Sequence, residues 1–241
     1  MVVLIIKDTP IAYLRDIRAL VITDLHIGYE YELEDLGIRI PPKDGDFLSQ
    51  IKEAKEKTKS KRLIILGDLK HKVPRSKKEE IIRVKKFLSE LMRDFKEITI
   101  CKGNHDDRLE YIVPESIKVV SSRGFRYKNY GFFHGHAWPF SNLWNSKIWI
   151  VGHLQPIIEI YKDGKRSLER VIIDGVPRIR KGKLEKIVLL PAFNPFVGGF
   201  IINKSYEIEN SILSKLIDIN SSRVFLLDGT EVGKIKELMS R

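Results

Sequence analysis

The sequence predicts an α/β fold whose second half turns mainly to β structure. Three observations carry this reading. Apolar runs of strand length alternate with amphipathic stretches as far as Pro114, and shorter strand-like runs separated by turn pairs take over beyond it. One ordered series of motifs bearing Asp, Asn and His crosses that change. Strands alternating with helices favour parallel pairing through right-handed crossovers. Because the motif series runs through both halves, both must build one site, and residues 1–241 are expected to form a single domain.

Val2–Lys7 and Ala12–Leu14 read as a short hairpin, and Ala19–Thr23 as a buried strand ending at Asp24. Phe47, Leu48, Ile51 and Ala54 recur at helical spacing, which predicts a helix over Asp46–Thr58. Arg62–Leu66 is a second buried strand, ending at Gly67-Asp68. Ser76 followed by Glu79 forms a capping box ahead of a long amphipathic helix that ends near Phe95. Ile98–Lys102 is a third strand, ending at Gly103-Asn104, with Cys101 as a buried residue within it. Beyond Pro114, Phe125–Tyr127 and Tyr130–Phe133 flank a two-residue turn at Lys128-Asn129. Strands follow at Lys147–Val151, Ile157–Tyr161, Leu168–Ile173, Ile187–Leu190 and Phe200–Asn203, with hairpin turns at Asp163-Gly164 and Asp174-Gly175. A strand at Val224–Leu227 and a helix from Glu231, N-capped by Thr230, come last.

The length of 241 residues suits one large α/β domain with a substantial core. No apolar run reaches the roughly 18 residues that a membrane-spanning helix needs. The opening MVVLIIKDTP lacks a basic flank and reads as a strand rather than a signal peptide. Cys101 is the sole cysteine, which excludes an internal disulfide framework and suits a reducing cytoplasm. Two glutamines, one cysteine and three methionines beside many Lys and Glu resemble the bias of hyperthermophile proteins. The net charge of +11 favours a polyanionic partner. Nine Lys and Arg against four acids lie between Tyr161 and Lys186, a run expected close to the last motif.

All six histidines fall in or beside the motif series. It reads Asp24-Leu25-His26, Gly67-Asp68-Leu69-Lys70-His71, Gly103-Asn104-His105-Asp106, His134-Gly135-His136 and Gly152-His153-Leu154-Gln155. Asp, His and Asn grouped this way are ligands for divalent ions such as Mn²⁺, Fe²⁺ or Zn²⁺. Asp24, Asp68 and Asn104 each stand at the carboxyl end of a predicted buried strand, the edge where open α/β sheets collect ligands. Two carboxylates in one crevice repel each other, and a cation between them removes that cost. Glycine before Asp68 and before Asn104 permits tight turns out of the strands. No Ser or Cys arrangement suggests a protein nucleophile.

This ordered set resembles the calcineurin-like metallophosphoesterase superfamily. Gly67-Asp68-Leu69-Lys70-His71, with Leu190-Pro191-Ala192-Phe193 and Gly198-Gly199, is similar to the narrower SbcD-related or ICC-like phosphoesterases, including the PdeM type. The resemblance implies a four-layer αββα sandwich with a dinuclear metal centre at the sheet edge. It places Asp24 and His26 on the first ion, Asp68 as the bridge, and Asn104, His134 and His153 on the second. It makes His105 the catalytic histidine, which protonates the leaving oxygen or steadies the phosphate, oriented by Asp106. The implied cofactors are two divalent ions, Mn²⁺ first, with Fe²⁺, Zn²⁺ or Ni²⁺ as the other choices. A metal-bound hydroxide would attack phosphorus in line.

Two positions depart from the family pattern. Gln155 stands where a second histidine completes the first metal's shell, and an amide oxygen is a weaker donor for transition metals than imidazole. His71 and Lys72 stand where many members have Asp-Arg. His71 reads as a contact behind the ligands, a substrate contact or a surface residue, His136 as a candidate for phosphate contact, and Lys70 and Arg108 as phosphate contacts or solvated cations. Trp138, Phe140, Trp144 and Trp149 read as core packing, with nucleobase stacking as the alternative. The function read from the whole is a cytoplasmic phosphodiesterase or nuclease acting on nucleic acid or nucleotides, with DNA repair the role of the similar bacterial group. The alternatives are a small-molecule phosphatase or cyclic-nucleotide phosphodiesterase, and a metal-stabilised nucleic-acid-binding scaffold whose activity Gln155 weakens.

Overall fold

A computed structural model describes residues 3–71, 78–204 and 211–239. The first of its two sheets begins antiparallel, with β1 (Val3–Ile5), β2 (Ala12–Leu14) and β3 (Ala19–Ile22). It continues in parallel through β4 (Arg62–Leu66), β5 (Glu97–Cys101) and β6 (Lys118–Val120). Strands β3 to β5 are nearly unbroken apolar runs because both their faces are covered. Alternation along the strand sorts the side chains. Leu20, Ile22, Leu63 and Ile65 pack with Phe47, Ile51, Val84 and Leu88 of α2 (Asp44–Thr58) and α3 (Lys78–Asp94). Ala19, Val21, Ile64 and Leu66 join a second core between the sheets.

The second sheet runs in the order β13 (Phe200–Ile201), β10 (Pro156–Lys162), β11 (Lys165–Pro177), β12 (Lys186–Leu189), β9 (Ile148–Val151), β8 (Tyr130–Phe133) and β7 (Phe125–Tyr127). Strand β14 (Ile217–Leu226) pairs with β11, and β15 (Glu231–Lys234) with β14. Tyr130, Phe132, Ile150 and Val188 face the first sheet. Trp149, Val151, Ile173 and Leu189 face the short helices α4 (Ile212–Leu216) and α5 (Ile235–Leu238). The layers are therefore α, β, β, α, with an outer helical layer much thinner than the one formed by α2 and α3.

Several local expectations change. Asp174-Gly175 is no turn but lies inside β11, which shifts register between Asp174 and Val176. Glycine is needed there because a Cβ would stand 2.8 Å from the Ile187 carbonyl oxygen and 3.2 Å from the Ile217 side chain. Glu231 opens a strand, not a helix, so Thr230 is no N-cap and the last helix is confined to Ile235–Leu238. Strand β6 and the helices α1 (Tyr29–Asp35) and α4 left no signal in the sequence. The capping residue Ser76 and Lys72 lie outside the described residues. Among the described residues, no helix is long and apolar enough to cross a membrane.

Candidate metal centre

Every motif sits at the carboxyl end of a parallel strand. Asp24 follows β3, Asp68 follows β4, Asn104 follows β5, His134 follows β8 and His153 follows β9. Backbone pairing continues past the first two strands, with the Asp24 amide donating to the Gly67 carbonyl (3.1 Å) and the His26 amide to that of Asp68 (2.8 Å). The loop after β12 ties the second sheet to this edge through amides of Phe193 and Asn194, which donate to the carbonyls of Thr23 and Asp24. Arg170 holds the far side of that loop by donating to the Ala192 and Phe193 carbonyls at 3.0 and 3.1 Å.

The backbone is strained where the functional side chains leave it. Asp24, His26, Asp68, His153 and Gln155 all have φ between 43° and 67°, five of eleven such non-glycine residues among those described. Left-handed conformations cost non-glycine residues about 1–3 kcal/mol each and gather at functional sites. Two glycines let the loops touch. A Cβ on Gly103 would collide with the Asp68 carboxylate and amide, and one on Gly152 with the Thr23 hydroxyl. Gly103 has no positive φ, so its need is close approach rather than the tight turn expected from the sequence.

Two groups of side chains meet at Asp68. Asp24, His26 and Asp68 form one, and Asp68, His134 and His153 the other, each with donor atoms within 4.8 Å of one another. His26 Nε2 lies 3.5 Å from Asp68 Oδ2 and 3.8 Å from Asp24 Oδ1, and His134 Nε2 lies 3.2 Å from Asp68 Oδ2. Two donors bound to one ion at about 2.0–2.2 Å stand about 3.0–3.6 Å apart, so most of this spacing suits ligands around a cation. His134 supplies the stronger test. Its Nδ1 lies 2.5 Å from the Leu66 carbonyl and must donate there, which leaves a lone pair on Nε2 in the neutral ring. That Nε2 is buried without a hydrogen bond and faces a carboxylate. Ligating histidines present this arrangement, and the residues fit a divalent metal.

In the protein without metal, a proton takes the cation's place. Burial lowers the affinity of His134 for it, but the Asp68 and Asp24 carboxylates and the Leu66 carbonyl outweigh burial and lift the ring to about 9. Burial also works to raise Asp68 and Asp24, yet the neighbouring histidines hold both carboxyls below the usual carboxylate range. Burial, then the charge on His134, pushes His136 and His153 down to about 4.

Asp24 is firmly held. Its Oδ2 accepts from the Thr23 hydroxyl (2.5 Å) and the His153 amide (3.2 Å), and its Oδ1 from Gln155 Nε2 (2.7 Å). The Gln155 amide thus reaches the first group, 3.3 Å from His26 Nε2. Asn104 lies on the exposed turn just before His105, whose amide donates to Asp68 Oδ1 at 2.9 Å. The His105 ring packs 4.8 Å from His26, and its Nδ1 donates to the His71 carbonyl at 2.5 Å. His136 stands 5.2 Å from the ring of His134.

Asp106 does not orient the His105 ring. Its carboxylate is consumed by three backbone amides, those of Leu69 (3.1 Å), Lys70 (3.3 Å) and Gly103 (2.9 Å), and so braces the loop after β4 against the loop after β5. The His71 carbonyl does the orienting. Lys70 is buried and donates to the His105 carbonyl, whereas Arg108 is exposed. Trp144 and Trp149 are core residues, while Trp138 and Phe140 are 42% and 37% exposed. The basic run is mostly remote. Strand β10 leaves the site at Pro156 and turns at Asp163-Gly164, about 20 Å away at strand rise. Beyond Ile173, β11 runs back past β12 toward Lys186, whose ammonium pairs with Asp174. Among the described side chains of the run, Arg170 has contacts that reach the site's own loop.

The family model for the calcineurin-like phosphoesterases matches residues 17–189, the span that carries every motif from Asp24 to Gln155. Among solved structures, a nuclease, MPE, from Pseudomonas putida superposes with a TM-score of 0.57 over 91% of this chain and 89% of that one, at 20% identity. Yfce, a phosphoesterase from E. coli, gives a TM-score of 0.43 over 90% and 97% of the two chains, at 13% identity. No curated protein matches significantly. The first likeness extends the shared fold well beyond the span that the family model matches.

Proposed function

We propose, from the premise that this chain belongs to the calcineurin-like phosphoesterase family and is a metal-dependent hydrolase, that its substrates are phosphodiesters of nucleic acids or nucleotides. The observation that carries the chemistry is the sharing of Asp68 by two donor groups. Asp24 and His26 would hold one ion, joined by Gln155 once its amide turns the oxygen rather than Nε2 toward the site, and Asn104, His134 and His153 the other, with Asp68 between them. Bound there, a pair of divalent ions, Mn²⁺ foremost, would supply Lewis acidity toward phosphoryl oxygens and acidify water.

The chain's own groups divide the remaining work. His105 donates a hydrogen bond from its Nδ1–H to the His71 carbonyl, so in the doubly protonated ring Nε2 is the atom that passes a proton to the leaving oxygen. His136, half-buried beside His134, is the candidate for a contact to a phosphoryl oxygen. Neither Lys70 nor Asp106 has a part in proton transfer, since Lys70 holds the His105 carbonyl and Asp106 three backbone amides.

The net charge of +11 supports a polyanionic substrate, as does the nuclease name of the Pseudomonas putida neighbour. Trp138 and Phe140 follow closely on His136, and the Arg123 guanidinium lies 4.5 Å over the Phe140 ring. Exposed aromatic and guanidinium planes of this kind stack on bases regardless of sequence. An Mn²⁺-dependent panel of a monoester, a diester, cyclic nucleotides and labelled oligonucleotides tests the proposal. Turnover of the diester and the oligonucleotides is expected; turnover of the monoester alone would refute it.

A further inference from the structure

We propose that Glu32, acting through His71, fixes which ring nitrogen His26 offers to a metal ion. Three residues lie in line. Glu32 Oε2 is 2.7 Å from His71 Nε2, and His71 Nδ1 is 3.0 Å from His26 Nδ1. The far nitrogen of His26, Nε2, is the one that faces Asp68 and Asp24.

Valence then settles each proton. An ionised carboxylate only accepts, so the hydrogen between Glu32 and His71 sits on His71 Nε2. Neutral His71 therefore has its lone pair on Nδ1, and His26 Nδ1 must be the donor of the next bond. His26 is left with its lone pair on Nε2, directed at the carboxylates. The opposite tautomer of either ring would set two lone pairs or two N–H groups face to face at 3.0 Å.

His71 is well placed to hold this arrangement. Its amide donates to Glu80 Oε1 at 2.7 Å, and its ring lies between Tyr29 (4.9 Å, edge-on) and His105 (5.3 Å, stacked). It is 6% exposed, while the Glu32 side chain is 50% exposed, so the chain of bonds opens to solvent only at the Glu32 end. Ligating histidines usually donate their second nitrogen directly to a carboxylate or carbonyl. Here a second imidazole is interposed, and the carboxylate comes from α1, an element outside the motif series.

The arrangement bears on the position that departs from the family pattern. With Gln155 in place of an imidazole, His26 is the first group's only nitrogen ligand, and a carboxylate behind it makes that nitrogen a stronger donor. This role rests on the proposed metal centre; the tautomer does not. Glu32 and His71 are positioning residues, and the test separates the two claims.

Histidine-labelled, metal-free protein at pH 8 would be examined by long-range proton–nitrogen spectroscopy, and Mn²⁺ binding by titration calorimetry. Wild type should show His26 as the Nδ1–H tautomer, and Glu32→Ala a mixture of tautomers with an unchanged melting temperature. Glu32→Ala should weaken one Mn²⁺ site by about 10–100-fold and leave the other alone. Glu32→Gln, whose amide oxygen still accepts from His71, should lose far less, and Gln155→His should restore affinity to Glu32→Ala. An Nε2–H tautomer in wild type overturns the proposal, as does normal Mn²⁺ binding by Glu32→Ala. A wild-type protein that shows the expected tautomer yet binds no Mn²⁺ overturns the metal centre instead.

Discussion

Asp106→Asn separates a structural brace from a catalytic partner. The Asp106 carboxylate is fully buried and serves three backbone amides. Asparagine keeps one oxygen, enough for Leu69 and Lys70, but turns an NH₂ toward the Gly103 amide. A hydrogen bond to a charged group, about 1.5–3 kcal/mol, is lost, and a buried donor is left unsatisfied at about 1–3 kcal/mol more. Part of this is offset, because burial and the nearby Asp68 already raise the Asp106 carboxyl above its ordinary range. A net loss of about 2–4 kcal/mol remains, which for a chain of this size lowers the melting temperature by about 4–16 °C. Turnover well below melting should fall less than about tenfold, since the His105 ring is oriented by the His71 carbonyl. Thermal melts and kinetics on the same preparations decide it. An unchanged melting temperature with turnover as low as that of a His105 variant would refute the reasoning and return Asp106 to the catalytic set.

Further predictions follow from the same geometry. His105→Ala should lose about 10²–10⁴ in turnover with metal content unchanged on elemental analysis, because its loss removes a proton donor rather than a ligand. Gln155→His should reach full activity at lower Mn²⁺ and gain more affinity for Zn²⁺ than for Mn²⁺, read from parallel metal titrations. Unaltered affinity for both ions would put residue 155 outside the shell. In metal-free protein the folded His134 value of about 9 stands above the ordinary 6.5, so its contribution is complete below pH 6.5 and lost as pH rises through 9. Unfolding free energies from denaturant titrations should fall across that window by an amount on the order of 3 kcal/mol, and saturating Mn²⁺, which replaces the proton, should remove the decline.

The central strands were legible because burial on both faces leaves apolar residues alone, as at residues 63–66 of β4. Motif order placed the donors at strand ends, and the structure gathers Asp24, His26, Asp68, His134, His153 and Gln155 around one edge. Helix α1 was invisible for the opposite reason: it buries no residue, so YEYELED carries no apolar period. Glu32 was hidden with it, one acid among several. Asp174-Gly175 misled because a pair common in hairpin turns serves here to let strands approach closely. Asp106 followed a catalytic-looking histidine in sequence, but only the folded loops show that its oxygens are spent on amides from two segments.

Asp68 is the residue that the two proposed metal sites share. Metal stoichiometry of wild type and Asp68→Asn, measured by calorimetry and elemental analysis alongside diester hydrolysis, tests this in one comparison. Two Mn²⁺ per wild-type chain, with loss of both ions and of all Mn²⁺-stimulated hydrolysis in Asp68→Asn, is the result expected. Near-normal activity with two ions still bound to Asp68→Asn would contradict it.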